Sequence, residues 1–178
     1  IETDDQGERS FIYWRDDSAA KKVVEFISPE LVKQLSSGDM FFFSGISLAV
    51  IEEQARAQFW DIVKQLKAAG VKIVFDPNYR ARLWDNVEQT KAQYHSAFSL
   101  ADITLPGVED LETLYNVQSV EAVIDYLAPY NINEIIVKNG PDSVITKEAN
   151  TVQSHSITPV KNVIDTTSAG DAFNGVYL

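Results

Sequence analysis

Apolar and polar residues alternate along this chain in blocks that predict strands and helices in turn. Apolar runs of strand length occupy Met40–Ser44 and residues 71–75, 103–105 and 134–138. Between the first two runs, apolar residues recur at steps of three and four, which is the spacing of one helix face. These residues are Leu48, Ile51, Ala55, Phe59, Ile62, Leu66 and Ala69. The pattern predicts a single helix that begins at a Ser47 cap and ends at Gly70.

The same patterns predict the elements of the remaining chain. Helices are expected at Ala19–Phe26, Pro29–Leu35 and residues 86–98 and 119–128, and strands at residues 143–147 and 151–157. Strand and helix therefore alternate from residue 40 to residue 138. This order predicts an α/β fold with a mostly parallel central sheet flanked by helices.

Parallel sheets bind their ligands beyond the carboxyl ends of the strands. The loops that follow the predicted strands contain Gly45, residues 78–80 and residues 106–110. We therefore expect these three loops to converge at one edge of the sheet.

The first 15 residues predict a β-hairpin that is separate from this sheet. Phe11, Tyr13 and Arg15 share one face of its second strand. Tyr13 and Arg15 could place a hydroxyl and a guanidinium on a ligand, whereas an aromatic strand pair also suits a packing or dimer surface. Both interpretations agree if the ribbon is a lid. We expect a lid over residues 1–17 and an α/β domain over residues 18–178.

The composition describes a folded, acidic protein. Hydrophobic residues make up 45% of the chain and aromatic residues 11%, which argues against disorder. The net charge of −11 argues against a nucleic-acid partner, whose phosphates need a basic surface. Neither a membrane-spanning segment nor a signal peptide is recognisable, and the lack of cysteine fits a reducing cytoplasm. The chain starts without methionine and stops inside a helical pattern, so we expect a fragment of a longer protein.

The strongest chemical signal is the run D-T-T-S-A-G-D-A-F at residues 165–173, just before a helix-compatible run over residues 172–178. A loop of small residues that leads into a helix leaves backbone N–H groups for an anion. Asp171 adds a carboxylate beside them, and this combination suits phosphoryl transfer. The alternative from spacing alone is that Asp165 or Thr167 simply caps the helix.

Two further loops carry candidate ligand groups. The segment D-P-N-Y-R-A-R-L-W at residues 76–84 puts Arg80 at the binding edge. There Arg80 either holds a carboxylate or phosphate, or is a solvated arginine after a turn. The segment K-N-G-P-D-S at residues 138–143 either cradles a nucleotide with its backbone or is a plain hairpin turn.

No motif predicts a protein-bound metal ion. His95 and His155 are isolated from each other and from any carboxylate cluster with ligand spacing. Glu109 and Asp110 either help to hold Mg²⁺ through water or simply begin a helix.

Taken together, these stretches resemble the PfkB, or ribokinase-like, family of carbohydrate kinases. Residues 165–173 resemble the family's C-terminal signature D-T-x-G-A-G-D-x-F, and Ser44-Gly45-Ile46 after a strand also fits. Residues 75–84 and 13–15 resemble the D-x-N-x-R-x-x-L-W and Y-x-R segments of the members that phosphorylate 2-keto-3-deoxygluconate. The resemblance covers essentially the whole chain but only the middle of the family's length. It implies a ribokinase-like α/β fold with a small β lid.

The resemblance also implies a role for each matching residue. Asp171 would take the proton from the sugar hydroxyl, and the amides of Ser168, Ala169 and Gly170 would hold the developing phosphate charge. Substrate contacts would come from Tyr13, Arg15, Arg80 and Asp171. Nucleotide contacts would come from Asn78, Tyr79, Arg80, Lys138, Gly140, Asp142 and Ser143, with Ser168, Ala169 and Gly170.

The reaction that the resemblance implies transfers the γ-phosphoryl group of ATP to 2-keto-3-deoxygluconate in the cytoplasm. The products would be 2-keto-3-deoxy-6-phosphogluconate and ADP, and the cofactors would be ATP and Mg²⁺. The expected partners are the sugar acid and ATP, with a second copy of the chain as a candidate partner at the lid. Nucleic acid and membranes are not expected partners.

Three positions depart from the family's pattern. Ser168 replaces a glycine, so its backbone must avoid a positive φ or accept strain. Ser143 stands at the last glycine of K-x-G-x-x-G, and Gly107 and Asp110 stand at the Asn and Glu of N-x-x-E. The last change weakens the inference of ribokinase-type Mg²⁺ contacts. Two alternatives stay open: a PfkB kinase of another sugar (fructose, ribose or a nucleoside), and a non-catalytic sugar-binding domain.

Overall fold

The computed structural model describes residues 2–3, 9–10, 18–158, 160–161 and 163–178, the first two ranges by their backbone alone. The chain divides into two compact units. The smaller unit comprises Ile1–Asp17 and Thr158–Leu178, and the larger unit comprises Ser18–Ile157. The division into a lid and an α/β domain at residue 17 stays a prediction.

The smaller unit contains a short strand pair and one helix among its described residues. Strand β1 (Glu2–Thr3) pairs antiparallel with β2 (Arg9–Ser10), in the register Glu2 opposite Ser10. The helix, α7, covers Ala169–Tyr177 and so begins three residues earlier than the predicted run over residues 172–178. Tyr13 and Arg15, the predicted ligand groups of the ribbon, lie outside the described residues.

The larger unit is built on a six-stranded sheet in which spatial order follows chain order. Its strands are β3 (Met40–Ser44), β4 (Lys72–Asp76), β5 (Ile103–Thr104), β6 (Glu134–Asn139), β7 (Ser143–Glu148) and β8 (Thr151–Ser156). Strands β3 to β6 pair in parallel, and β7 and β8 are added antiparallel. The predicted α/β fold with a mostly parallel sheet is therefore confirmed.

Helices connect the parallel strands, as the alternating pattern predicts. The α-helices of the larger unit are α1 (Pro29–Leu35), α2 (Gly45–Val50), α3 (Arg56–Ala68), α4 (Val87–Leu100), α5 (Val108–Tyr115) and α6 (Val120–Leu127). The 3₁₀ helices of this unit are Ala19–Phe26, Glu53–Ala55, Ala81–Leu83 and Ala128–Tyr130. The first of these was expected as an ordinary helix. Among the described residues, no helix is long and apolar enough to cross a bilayer.

The prediction of a single helix from Ser47 to Gly70 is wrong, because α2 ends at Val50 and α3 begins only at Arg56. Ser44, not Ser47, is the N-cap of α2: the Ser44 hydroxyl accepts from the Ser47 amide, and the Ser47 hydroxyl accepts from the Ser44 amide, both at 3.3 Å. Ile51 then turns extended with ψ of 130°. The adjacent β-branched pair Val50 and Ile51 favours this change, and Ile51 still buries its side chain.

The end of α3 follows the prediction closely. Gly70 has a φ of +93°, which a residue with a Cβ rarely adopts. Its amide donates to the Lys67 carbonyl at 3.0 Å, and the Val71 amide donates to the Leu66 carbonyl at 3.1 Å. Leu66 and Val71 are both buried, so this Schellman turn leads the chain directly into β4.

Aromatic rings fill the core between the sheet and the helices. Phe43 of β3 and Phe75 of β4 lie with their ring centroids 5.2 Å apart. Phe59 of α3 contacts Phe43 edge-on at 5.3 Å, and Phe98 of α4 contacts Phe75 edge-on at 5.3 Å. Such pairs are worth about 0.5–1.5 kcal/mol beyond the burial of their area. They fix the helices against β3 and β4 and so set the position of the loops at the ends of these strands.

Candidate functional site

The three loops that follow β3, β4 and β5 converge, as predicted, at one edge of the sheet in the larger unit. Ser44 and Asp76, the last residues of β3 and β4, are register partners. The loop after β5 joins β6 through a parallel bridge between Gly107 and Lys138, and the Lys138 amide donates to the Pro106 carbonyl at 2.8 Å. Backbone pairing therefore holds the strand ends together before any side chain is considered.

Gly45 is the point of closest approach at this edge. A Cβ at this position would overlap both the Pro77 carbonyl oxygen and the Tyr94 hydroxyl group. Those two groups are bonded to each other, because Tyr94 Oη donates to the Pro77 oxygen at 2.6 Å. The first residue of α2 therefore packs directly against the turn that follows β4, and only glycine leaves room for it.

Tyr94 supports that turn from within the core. Its side chain comes from the middle of α4 and is 1% exposed. Its ring packs edge-on against Phe75, Tyr79 and Trp84 at centroid distances of 5.4–6.2 Å. Burial raises the pKa of the Tyr94 phenol well above its ordinary value, and the nearby carboxylates Asp110 and Asp76 raise it further. The hydroxyl therefore stays protonated and remains a hydrogen-bond donor.

The turn at residues 78–80 has an unusual backbone that neighbouring groups hold in place. Asn78 has a φ of +34°, in the region where non-glycine residues are uncommon. The Tyr79 amide donates to Asp110 Oδ1 at 2.9 Å. Arg80 Nη1 donates to the Tyr79 carbonyl at 2.9 Å and lies 3.7 Å from Asp110 Oδ1. The predicted nucleotide residues Asn78, Tyr79 and Arg80 therefore belong to one anchored turn.

Two carboxylates and two cations form a charge cluster at this edge: Asp76, Asp110, Lys138 and Arg80. The Asp76 side chain is 2% exposed and pairs with Lys138 Nζ at 3.2 Å. Burial raises the pKa of Asp110 to about 6, and repulsion by Asp76 adds to the rise, while Arg80, Lys138 and the Tyr79 amide oppose it. The two positive charges each have a carboxylate partner, so this cluster carries little net charge.

The structure separates Lys138 from the rest of its predicted nucleotide segment. Lys138 is the fifth residue of β6 and takes part in the charge cluster. Gly140 and Asp142 belong to the exposed turn between β6 and β7, where the Asp142 amide donates to the Asn139 carbonyl at 3.1 Å and Gly140 has a φ of +53°. Ser143 pairs with Asn139 as the first residue of β7. The geometry is that of a hairpin turn, and a role in nucleotide binding stays a prediction.

Trp84, at the end of the same segment, is held by a buried arginine. The Arg56 guanidinium carbon lies 4.9 Å from the centre of the Trp84 ring, and Arg56 Nε donates to the Leu48 carbonyl at 3.0 Å. Arg56 is 8% exposed, and burial lowers its pKa. This arginine ties the end of α2 to the segment over residues 81–84, and neither pattern nor motif in the sequence predicts it.

In the smaller unit, α7 begins with a strained residue. Ser168 is the N-cap of α7 and has φ of +59° and ψ of 16°, so the serine accepts the left-handed conformation that the glycine of the family signature would favour. Its hydroxyl does not cap the helix. The expected alternative of an Asp165 or Thr167 helix cap is also wrong: Asp165 Oδ1 accepts from the Thr167 amide at 2.8 Å, outside the helix.

The predicted catalytic residues surround the start of α7. Ala169, Gly170 and Asp171 occupy its first turn, and all three are exposed, as is Ser168. The Ala169 amide donates to the Thr166 carbonyl at 3.2 Å, so it would have to exchange this partner to bind an anion. A nine-residue helix with an exposed, glycine-containing first turn fits a phosphate group. The roles of these residues stay predictions.

The described part of the chain contains no cluster of side chains that could coordinate Mg²⁺ by themselves. No group of three His, Asp or Glu side chains there is placed to hold a metal ion. The carboxylates at the sheet edge are occupied by Lys138, Arg80 and backbone amides. An Mg²⁺ cofactor stays a prediction.

The sequence does not predict the roles of three residues at this edge. Asp76 and Tyr94 have no predicted role, and Asp110 is not predicted to anchor the turn. Asp76 begins the motif over residues 76–84 but has no predicted role, and the sequence suggests for Asp110 only a metal contact or a helix start. An acidic residue at the third position of a helix, after a glycine N-cap, was the available signal for Asp110. Tyr94 lies in the middle of a helix and carries no such signal.

Comparison with known proteins identifies a family. The model of the pfkB family carbohydrate kinases matches residues 1–178, which is the entire chain. The chain is 37% identical to the 2-dehydro-3-deoxygluconokinase of Escherichia coli (strain K12) over 182 residues, covering all of this chain and 59% of that protein. It is 33% identical to the fructokinase of Vibrio alginolyticus over 181 residues, covering all of this chain and 56% of that protein.

Solved structures agree with this result. A putative ribokinase II from E. coli, in complex with ATP and Mg²⁺, superimposes with a TM-score of 0.69 at 28% identity. The superposition covers 82% of this chain and 46% of the ribokinase chain. The ribokinase-like fold is therefore confirmed, and the chain spans less than three fifths of the length of the curated relatives described above.

The close approach at Gly45 gives a first prediction. In the full-length protein, Gly45→Ala should lower the free energy of unfolding by about 1–3 kcal/mol, because the new methyl group overlaps a backbone carbonyl that cannot move freely. The measurement is urea unfolding followed by circular dichroism. Gly175→Ala is the control, since a Cβ there meets open space within a helix. Equal stability of the two variants would contradict the packing described for Gly45.

The strain at Ser168 gives a second prediction. Ser168→Gly should raise the stability of the full-length protein by up to about 1 kcal/mol, because glycine adopts the observed φ without strain and no capping bond is lost. Ser168→Val should lower it by about 1–2 kcal/mol, because a β-branched residue suits this conformation least. Thermal unfolding of the three proteins checks the order, and a valine variant as stable as the glycine variant would refute it.

Proposed function

This chain belongs to the pfkB family of carbohydrate kinases, and we propose that the full-length protein is an ATP-dependent sugar-acid kinase. Its proposed substrate is 2-keto-3-deoxygluconate, which is also called 2-dehydro-3-deoxygluconate. The proposed products are 2-keto-3-deoxy-6-phosphogluconate and ADP. The observation that carries this proposal is the 37% identity to a kinase named for that sugar acid, across the whole chain.

The anchored turn at residues 78–80 supports a sugar acid as the substrate. Arg80 follows β4 at the sheet edge where α/β proteins bind ligands, and its side chain is 38% exposed. A guanidinium donates two parallel hydrogen bonds to a carboxylate. A neutral sugar has no carboxylate to accept them. We assign Arg80, with Tyr13 and Arg15, to the sugar acid. We also assign Arg80, with Asn78 and Tyr79, to the nucleotide side.

The start of α7 supports phosphoryl transfer. Asp171 is proposed to accept the proton of the sugar hydroxyl that attacks the γ-phosphorus, while the bond from that phosphorus to ADP breaks. The amides of Ser168, Ala169 and Gly170, at the positive end of the helix dipole, would hold the charge that builds on the transferring phosphoryl group. ATP supplies that phosphoryl group, and Mg²⁺ bound with it neutralises part of the phosphate charge.

The charge balance of the chain explains why backbone donors matter here. The chain carries a net charge of −11, and the two cations of the charge cluster are paired with carboxylates. The carboxylates offset these two cations, so the cluster supplies little net positive charge for a nucleotide with several negative charges. We infer that the phosphates depend mainly on helix-start amides and Mg²⁺. Lys138, Gly140, Asp142 and Ser143 are assigned to the nucleotide on the family resemblance alone.

A cytoplasmic location, where ATP is plentiful, belongs to the same proposal, as does self-association through the ribbon over residues 1–17. A second candidate function is the phosphorylation of a neutral sugar. The observation that favours it is the 33% identity to a fructokinase over the same span of the chain. The two candidates differ in whether the substrate carries a carboxylate, so substrate preference separates them.

The substrate assignment gives a third prediction. The full-length protein should form ADP with 2-keto-3-deoxygluconate at a kcat/KM at least about tenfold higher than with fructose or ribose, because one charge-assisted contact is worth about 1.5–3 kcal/mol. A coupled assay of ADP formation across a panel of sugar acids and neutral sugars measures it. Rapid turnover of fructose or ribose with no response to the sugar acid would rule out the assignment.

The proposed base gives a fourth prediction. Asp171→Asn in the full-length protein should lower kcat by about 10²–10⁴-fold, because the substitution removes a proton acceptor but keeps the shape of the side chain. Substrate KM should change little. Asp61→Asn, on an exposed position of α3, is the matched control and should keep the activity of the parent protein. If Asp171→Asn retains the parental kcat, Asp171 is not the base.

A further inference from the structure

We propose that Asp110 is a positioning residue that holds the turn at residues 78–80 in its binding conformation. This inference rests on the proposed function and adds to it a residue that neither sequence reasoning nor the comparisons assign to this role. The proposal distinguishes positioning of the turn from binding of Mg²⁺ as the role of Asp110. A carboxylate at this place in the loop after β5 would otherwise be interpreted as an Mg²⁺ residue.

The hydrogen bonds of Asp110 all point into the protein. Oδ1 accepts from the Tyr79 amide at 2.9 Å, and Oδ2 faces the Gly107 amide at 3.4 Å. The side chain is 14% exposed. A carboxylate used in this way joins the end of β4 to the start of α5, and each of its two oxygens already accepts from a backbone N–H group.

Asp110 also sets the place of the Arg80 guanidinium. Arg80 Nη1 lies 3.7 Å from Asp110 Oδ1 and donates to the carbonyl of Tyr79, the residue whose amide Asp110 accepts. The carboxylate, the Tyr79 peptide and the guanidinium thus form one connected set. Removing the carboxylate would release the backbone and the side chain of this turn together.

The backbone of the turn needs such an anchor. Asn78 holds a positive φ that costs energy outside glycine, so the turn has no strong preference of its own for this conformation. From the other side, the Tyr94 hydroxyl bonds the Pro77 carbonyl. Asp110 is the second attachment point, and it is kept despite the cost of burying a carboxylate near Asp76, which is visible in its raised pKa.

Asp102 offers a matched control within the same sheet. Its Oδ2 accepts from the Ile73 amide at 2.9 Å and its Oδ1 binds Lys67 Nζ at 2.8 Å, so it also joins β4 to the β5 region and also pairs with a cation. It lies just before β5, at the opposite end of the sheet from the charge cluster. Loss of Asp102 therefore removes a similar anchor without touching the turn.

The test compares Asp110→Asn, Asp110→Ala and Asp102→Ala in the full-length protein. The asparagine side chain keeps an oxygen that accepts from the Tyr79 amide, whereas alanine leaves that amide unpaired. We expect Asp110→Ala to raise the KM of the sugar acid about tenfold or more, with a smaller change in kcat, because an unpaired buried donor costs about 1–3 kcal/mol. Asp110→Asn should rescue most of this loss, and Asp102→Ala should leave KM unchanged.

The dependence of the rate on Mg²⁺ concentration shows whether Asp110 positions the turn or binds the metal ion. We expect the Mg²⁺ concentration for half-maximal rate to be the same in the parent protein and in both Asp110 variants. A requirement that rises in both variants, with no rescue by asparagine, would overturn the proposal. Equal effects of Asp110→Ala and Asp102→Ala on KM would overturn it too, since they would show a loss of general stability.

Hydrogen exchange keeps this test independent of the substrate assignment. Asp110→Ala should speed exchange of the Tyr79 amide at least about tenfold, while Asp110→Asn and Asp102→Ala preserve its protection. Protection that persists in Asp110→Ala contradicts the anchor even if the protein proves to be a sugar-acid kinase. If the parent protein phosphorylates no sugar acid, the proposed function fails, and the exchange data still decide whether Asp110 holds the turn.

Discussion

The hydrogen bond from the Tyr94 hydroxyl to the Pro77 carbonyl is the contact on which the sheet edge depends. It is 2.6 Å long and fully buried, and it joins the middle of α4 to the turn after β4. Gly45 packs against both partners, so the end of β3 is fixed by the same contact. Asp110 adds the loop after β5, and Lys138 adds β6 through Asp76. Four strand ends are thus held around one buried turn.

The burial of two carboxylates determines the electrostatics of this edge. Asp76 and Asp110 are withdrawn from water and repel each other, which is tolerable only because Lys138 and Arg80 lie beside them. These ion pairs hold the four side chains in a defined geometry, and their charges nearly cancel. Arg80 keeps a partly exposed guanidinium at this edge although the chain carries a net charge of −11. In the smaller unit, the first turn of α7 is exposed, and its role in holding a phosphoryl group stays a proposal.

Hydrophobic pattern was enough to predict the sheet and most helices, because the strands are buried runs and Gly70 and Asn86 end or begin helices by simple capping chemistry. It could not predict the break at Ile51, where the helical stripe continues although the backbone turns extended. Sequence motifs identified the loops that carry the candidate site residues. How they are held was not predictable, because Tyr94, Arg56 and Asp110 contact Pro77, Trp84 and Tyr79 from positions that lie far away along the chain. The strain at Ser168 was foreseeable, since a serine replaces a glycine there.

Phosphorus NMR of the full-length protein with ATP, Mg²⁺ and 2-keto-3-deoxygluconate tests the central claim most directly, because it identifies the product rather than the loss of ATP. We expect a new phosphomonoester signal that grows in step with ADP, with little inorganic phosphate. The same mixture without the sugar acid should leave ATP intact. Formation of inorganic phosphate alone, or of a phosphate ester only when fructose or ribose replaces the sugar acid, would contradict the account.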